Sequence, residues 1–475
     1  MNFKSKIKNM PLGVKVSTAY ILCSIVQNGI GFITLPLFTR MLSTEEYGQV
    51  TVYTSWLSVL TVFITLNLAY GSFSKAMVKY EKERNEYITS VEVICFIIAG
   101  IFLGVYSIFR GFFSKVLELP TYIVIVMIVE ILANAVIQFW CGKKRFEFRY
   151  KEVVAFTIIT SVVSPIVQFI LISNSADKGY AKIIGTASVT VFSAFILLIY
   201  GIQKSNRICT KEHMLYALSF NIPLLIYYLS QMIFNTSDRI MISHMCDNEK
   251  AALYGVVYNI VLVLNMILAA INNSYIPWVY KKINEKEQED NNRIFMQLTV
   301  IVAVFVVMLV WCSPEIIFIL AGKKYMEAVG VVAPVAISVL VLFFSQVFIN
   351  YEFFYEDKLS LNLGSVLAAV VNIVLNYWLI PLCGYQVAAY TTLLSYIMFA
   401  AFNYSRARKL WKKNSGKDDF FSRKSIMGVA VCAMCASYIG IILYNYIFVR
   451  IGVVVVFLIV LLVERNKIIK VVKIG

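Results

Sequence analysis

The sequence is short of charge and of histidine. Asp, Glu, Lys and Arg make up only 15% of its 475 residues, against about 25% in soluble domains. With 60% hydrophobic residues, a soluble chain would lack the polar surface needed to face water. An ordinary cytosolic enzyme is therefore excluded, and lipid is the solvent for most of the chain. The only histidines, His213 and His244, fall near opposite membrane faces and cannot form a paired metal site. No Gly-rich loop followed by Lys and Ser or Thr is present, which excludes ATP hydrolysis by this chain. The nine cysteines stand singly in apolar stretches, without the spacing of a disulfide framework or a zinc site. The one close pair, Cys432 and Cys435, lies inside an apolar run and reads as two small packing residues. No metal and no cofactor is expected.

Long apolar runs, by contrast, are abundant. A hydrocarbon core of about 30 Å needs about 20 apolar residues per helix. Runs of that kind fall at 12–38, 48–72, 88–109, 119–140, 153–173, 181–201, 214–235, 251–276, 294–313, 328–350, 359–380, 384–404, 425–446 and 450–463. The sequence predicts an all-α polytopic membrane protein with 14 transmembrane helices and both termini on one side. The first run is too long for a signal-peptide core and lacks a cleavage site, so it reads as a retained span. Of the 43 Lys and Arg, 33 collect on the side holding the termini and 10 on the other. By the positive-inside rule that side is the cytoplasm. The net charge of +16 is then a topology signal on one face, and nucleic acid is not an expected partner. The connections are short, the longest being 236–250 outside and 405–424 inside, and none is large enough for a soluble catalytic domain.

Two stretches look alike. TRMLSTEEYGQVTVY (39–53) follows the first span and ISHMCDNEKAALYGVVY (242–258) follows the seventh, each joining acidic residues to a Tyr-Gly pair that opens the next helix. Six helices return the chain to its starting side, so the halves are expected to be parallel repeats. The expected organisation is a six-helix lobe over 1–205, a second over 206–410, and a basic loop with a terminal helix pair over 411–475. A site is expected in a central cavity between the lobes.

Polar groups inside the membrane are costly, an ionised side chain at a helix centre costing roughly 3 kcal/mol on the insertion scale. Glu130 sits near the middle of the fourth span, with Asn134 and Gln138 at successive steps of four on the same helical face. Thr157, Ser161, Ser164 and Gln168 line one face of the fifth. The first span adds Ser24, Gln27 and Asn28, the seventh Gln231, Asn235 and Asp238, the eighth Asn265 and Asn272, and the eleventh Ser365, Asn372 and Asn376. Each is a candidate for lining a cavity or for interhelical hydrogen bonding. As a lone central carboxylate, Glu130 is also the candidate for proton or sodium coupling. Arg40 and Lys75, at span ends, are candidates for phosphate or pyrophosphate binding or for snorkelling to the interface. Asp238 with Arg239 reads as a gate or a ligand site.

Several of these stretches resemble the oligosaccharide flippase family, the polysaccharide-transporting branch of the multidrug, oligosaccharidyl-lipid and polysaccharide exporter superfamily. LPLFTRMLSTEEYG (35–48), NTSDRIMIS (235–243), AGKKYMEA (321–328) and NIVLNYWLIPLCGYQVAA (372–389) match its motifs in order over much of the chain. The resemblance implies two six-helix lobes that open alternately to either side, plus two appended C-terminal helices, in the plasma membrane. The implied cargo is an undecaprenyl-pyrophosphate-linked oligosaccharide moved to the outer leaflet for capsule, O-antigen or exopolysaccharide assembly. A polysaccharide polymerase and chain-length proteins are the implied partners. Arg40, Asp238, Arg239, Asn372 and Asn376 fall on motif positions, whereas Glu130 matches none. The alternatives are a flippase for a lipid-linked peptidoglycan precursor and a cation-coupled drug antiporter of the same superfamily. A membrane glycosyl- or acyltransferase would need paired carboxylates or a His-Asp motif near one face, and neither is evident.

Overall fold

In a computed structural model, residues 12–70 and 72–463 are described, and they contain helices and turns without a strand. The order begins with α1 (Leu12–Met41), α2 (Thr44–Thr65), α3 (Ser72–Lys79), α4 (Arg84–Ile108), α5 (Arg110–Leu117) and α6 (Thr121–Phe146). It continues with α7 (Tyr150–Ser173), α8 (Lys178–Gln203), α9 (Lys211–Met245), α10 (Asn248–Glu285), α11 (Gln288–Trp311) and α12 (Ser313–Leu320). It ends with α13 (Val329–Phe354), α14 (Lys358–Cys383), α15 (Val387–Ser415), α16 (Arg423–Ile442) and α17 (Ile447–Val463). Each expected span meets one long helix; α3, α5 and α12, at eight residues each, are turns of helix in the connections. Among the described residues, ten helices are long and apolar enough to cross a membrane. Phe192, Trp378 and Leu382 are exposed on the exterior, as expected where lipid replaces water. The termini, expected in the cytoplasm, lie outside the described residues.

The helices run well past the apolar segments, which corrects the expected connections. The outside connection expected over 236–250 is largely helical, since α9 reaches Met245 and α10 starts at Asn248. Likewise α15 continues to Ser415, so the basic stretch expected as a loop over 405–424 is mostly helix. Hydropathy marks only the hydrocarbon section, whereas helix ends are set by caps. Ser43 and Glu46 form a reciprocal capping box at the start of α2, and Asp247 accepts from the Lys250 amide at 2.6 Å to start α10. The acidic residues of the two Tyr-Gly stretches are thus helix N-terminal devices. Glu46 also accepts from the Lys178 amide at 3.2 Å, tying α2 to α8. Gly384 ends α14 in a left-handed conformation, φ +78°, the requirement behind the Pro-x-x-Gly turn.

The chain forms two compact units, residues 1–232 and 233–475, which part inside α9; the expected lobe boundary at 205/206 lies in the α8–α9 connection. In unit 1, Ile64, Ile123, Val124, Met127 and Ile131 of α2 and α6 are fully enclosed. In unit 2, α13 is buried along almost its whole length.

The terminal pair is firmly docked on unit 2. Trp311 donates its indole N–H to the Ala436 carbonyl at 2.8 Å, and a Cβ on Gly440 would come within 2.5 Å of that indole. Arg450, 3% exposed, makes a bidentate pair with Glu315 at 2.6 and 3.0 Å and donates to the Trp311 and Tyr444 carbonyls. In the connection before α16, Tyr404 donates to the Phe421 carbonyl at 2.7 Å, and Phe420 and Phe421 are buried against Phe348 and Tyr351. Asp357 caps α14 and is bound by Ser360 and Arg406. Partial burial alone would raise its carboxyl, but the Ser360 hydrogen bonds and the Arg406 guanidinium hold it below the usual aspartate value.

Two outcomes follow. Arg450→Ala strands the Glu315 carboxylate and is expected to cost about 3 kcal/mol, read as a lower thermal midpoint and faster proteolysis in 416–422; an unchanged midpoint would contradict the docking. For Asp357 the depressed folded value means its stabilisation is full above the ordinary aspartate value and fades as pH falls through the folded one. Asp357→Asn should therefore flatten the acid limb of the unfolding midpoint measured against pH.

Candidate functional site

The largest gathering of the sequence candidates is in unit 2. The end of α9 presents Asn235, Ser237, Asp238 and Arg239; α10 presents Tyr254 and Tyr258; α14 presents Asn372 and Asn376; α15 presents Thr391, Thr392 and Tyr396. The steps of four between Asn372 and Asn376 and between Tyr254 and Tyr258 put each pair on one helical face. Asp238 is fully buried. Its Oδ2 accepts from the hydroxyls of Tyr254 at 2.8 Å, Tyr258 at 3.1 Å and Thr392 at 3.0 Å. Its Oδ1 has no hydrogen-bond partner.

Behind Thr392 runs a directed chain of donors. The Thr391 hydroxyl donates to Asn376 Oδ1, and the Asn376 amide donates to Asn372 Oδ1 at 3.2 Å. The Asn372 amide in turn donates to Thr392 Oγ1 at 3.0 Å. Ser237 also donates to Asn372 Oδ1, at 3.2 Å. Asn372, Asn376 and Thr392 are completely buried, so in hydrocarbon each depends on these bonds.

Asp238 and Arg239 make no ion pair with each other. Successive residues on a helix point about 100° apart, and Arg239 instead donates to the Asn235 carbonyl at 2.7 Å and lies 4.3 Å over the Tyr258 ring. Asn235 Oδ1 accepts from Tyr396 at 2.9 Å. Chemically the arrangement offers one free carboxylate oxygen amid hydroxyl and amide groups. Such a set suits a proton or a small hard cation, which prefers oxygen ligands, and among the described residues no group of three His, Cys, Asp or Glu suits a transition metal.

The remaining candidates are dispersed. Glu130, 4% exposed, accepts from the Tyr53 hydroxyl at 2.7 Å within the apolar core of unit 1. Asn134 is half-buried and Gln138 exposed, so the three share a face of α6 without sharing an environment. Gln168 donates to Ser164 at 2.9 Å and is pressed by Gly185 of α8, where a Cβ would stand 2.9 Å from its Cα. Asn28 donates to the Ser24 carbonyl one turn back at 2.8 Å. Arg40 and Lys75 are exposed, and Gln231 is half-buried.

Sequence reading passed over Thr391, Thr392, Tyr258 and Tyr396. The matched stretch 372–389 ends just before the Thr-Thr pair, although four hydroxyl residues, Tyr390, Thr391, Thr392 and Ser395, crowd that end of the span. The Tyr53–Glu130 bond is expected to show coupling of about 1 kcal/mol or more in a double-mutant cycle of Tyr53→Phe and Glu130→Gln, read from unfolding free energies. Strict additivity would mean the carboxylate is held by something other than Tyr53.

The comparisons with known proteins agree with this architecture. "Lsg locus putative protein 1" of Haemophilus influenzae is 22% identical over 375 residues, 76% of this chain and 89% of the relative. An uncharacterized membrane protein of the same organism is 21% identical over 75% of this chain and 88% of its own length. Among solved structures, the lipid II flippase MurJ in an inward closed conformation superposes with a TM-score of 0.70 over 96% of this chain and 100% of its own, at 13% identity. An inward-facing multidrug resistance MATE family transporter of the MOP superfamily gives 0.57 over 83% and 96%, at 11% identity. These likenesses establish the fold, and with the ten apolar helices they make the chain a multi-pass membrane protein. The family described as polysaccharide biosynthesis protein matches residues 14–282, from α1 into α10. With more than half of its length so matched, the chain belongs to the polysaccharide biosynthesis protein family.

Proposed function

We propose that this protein is a flippase that moves a prenyl-diphosphate-linked oligosaccharide repeat from the cytoplasmic to the outer leaflet, for assembly of a surface polysaccharide. The observation that carries the reading is the polysaccharide biosynthesis family match over 14–282, on a chain that shares its fold, over 96% of its length, with a solved flippase structure. The physics of the cargo supports it. A polyprenyl tail is at ease in lipid, whereas a diphosphate and several sugars are not, so only the head group needs a hydrogen-bonding route through the membrane. The protein's part is transport by alternating access and involves no bond making or breaking. The plasma membrane is the compartment this reading requires, and the one-sided basic bias supports cytoplasmic termini.

Ion coupling, on this reading, sits at Asp238 in preference to Glu130. Glu130 is enclosed in apolar surroundings and bonded to Tyr53. Asp238 keeps a free oxygen in a setting of hydroxyls and amides contributed by three other helices, where binding a proton or sodium ion would alter how those helices are held.

A second reading is a flippase for a peptidoglycan precursor, favoured by the coverage of the lipid II flippase structure, 96% of this chain. Deletion separates the two. Accumulation of a complete lipid-linked repeat on the cytoplasmic leaflet, with peptidoglycan synthesis intact, is the expected result; accumulation of the peptidoglycan precursor would favour the second reading. Normal surface polysaccharide with lost drug resistance would overturn both. Asp238→Asn retains an acceptor for the three hydroxyls and should fold, while reducing ion-dependent flipping about tenfold or more, a loss of roughly 1.4 kcal/mol. Ion dependence that persists in Asp238→Asn and vanishes in Glu130→Gln would return the coupling role to Glu130.

A further inference from the structure

The short helix α3 and the first turns of α9 carry an arrangement in unit 1 that packing does not account for. Helix α3 buries Ser72, Phe73, Ala76 and Met77 and leaves Lys75 and Lys79 exposed, one turn apart. Facing them on α9 are Tyr216 and Phe220, also one turn apart. The Lys75 ammonium lies 4.9 Å from the Phe220 ring centroid, and that of Lys79 lies 4.4 Å from Tyr216. The register is fixed at both ends. The Ser72 amide donates to Asn221 Oδ1 at 3.3 Å, and the Asn221 amide donates to the Asn67 carbonyl at 3.3 Å. At the other end the Tyr80 hydroxyl donates to Glu212 at 3.2 Å.

An ammonium resting on a ring face is steered by it without being neutralised, and its N–H donors on the far side stay available; Lys79 also lies 4.8 Å from the Tyr80 ring and shares that corner with the Glu212 carboxylate. Holding two long side chains in this way also lowers the entropy lost when they meet a ligand. Residues four apart on a helix are neighbours, their Cβ atoms about 6 Å apart, so one ligand carrying two linked anionic groups can engage both. Half-exposed ring faces beside them suit the apolar face of a sugar. A simple phospholipid head group such as phosphatidylglycerol offers a single phosphate and no sugar ring, and fits this row less well than a sugar diphosphate does.

We propose that Lys75, Lys79, Tyr216 and Phe220 form the site that recognises the diphosphate and first sugar of the prenyl-linked cargo on the cytoplasmic side. The assignment rests on the flippase reading above. It gives Lys75 a partner lysine and an aromatic platform that no motif marks.

The test uses the full-length protein in phosphatidylcholine nanodiscs, with radiolabelled farnesyl diphosphate as the probe. Lys75→Gln with Lys79→Gln should weaken binding by about tenfold or more, while Lys75→Arg with Lys79→Arg should retain most of it; farnesyl monophosphate should bind more weakly than the diphosphate. Both lysines are exposed, so an unchanged thermal midpoint should certify folding of the variants. Equal affinity of wild type and the Gln double variant would overturn the proposal. Displacement of the probe by phosphatidylglycerol as readily as by unlabelled diphosphate would also overturn it, as the mark of a bilayer head-group site. The flippase reading fails separately. Deletion without accumulated lipid-linked glycan would remove that reading whatever the binding result, whereas accumulation with unaltered binding in the Gln double variant would remove only this site.

Discussion

A polar group that leaves water for the interior of a membrane protein must find its partners inside the protein, and unit 2 is organised around how Asp238 does so. Three hydroxyls converge on one carboxylate oxygen, two from α10 and one from α15. The chain from Thr391 through Asn376 and Asn372 to Thr392 supplies the last of these donors. Every step points its proton toward the carboxylate. Turning either asparagine amide over would break two bonds at once, so the direction of the chain is fixed by its own partners, and aligned bonds of this kind strengthen one another. Four helices are thus held in register by a single acceptor. Its second oxygen, Oδ1, has no hydrogen-bond partner.

Glu130 shows how the same chemical group takes a different part. It too is a carboxylate inside an expected span, but it has one donor, Tyr53, and its surroundings are Met127, Ile128 and Ile131. Helical spacing placed Glu130 correctly on a line with Asn134 and Gln138, because periodicity is local. Which neighbour that line meets at each level is a tertiary fact, and here one line runs from an apolar core to an exposed end. The fourteen long helices were legible because lipid demands long apolar runs, and among the described residues ten helices are long and apolar enough to cross a membrane. The junctions after spans one and seven were legible because acidic caps and Tyr-Gly pairs are local too. Thr391 and Thr392 escaped because a hydroxyl in an apolar span acquires meaning only from the amide opposite, and that amide lies 20 residues away in Asn372.

The charge bias carries a similar lesson. Counting Lys and Arg by side gives an expected orientation, but several of those cations have structural work that the count does not see. Arg450 ties the terminal pair to the α11–α12 turn through Glu315, Lys250 holds Glu327 at 2.9 Å, and Lys144 holds Glu152 at 2.9 Å. The terminal helices are for this reason part of unit 2, fastened by Trp311 and by the buried Phe420 and Phe421 as well as by the ion pair.

The two Tyr-Gly stretches share a local geometry and differ in the charge they meet. In each half the tyrosine lies in the first two turns of a helix with a capped start, by the Ser43–Glu46 box in one and by Asp247 in the other, and in each it is buried. Their companions have opposite charge. Tyr47 lies with its ring 5.0 Å from the Lys182 ammonium, with Phe38 at 4.7 Å from the same group. Tyr254 turns its hydroxyl to the Asp238 carboxylate. An aromatic face attracts a cation and a phenol donates to an anion, so one residue type at like positions serves both signs. What the halves share is the capped helix start that sets the tyrosine in place; what distinguishes them is the charge set beside it, and that difference confines the oxygen-rich site to unit 2.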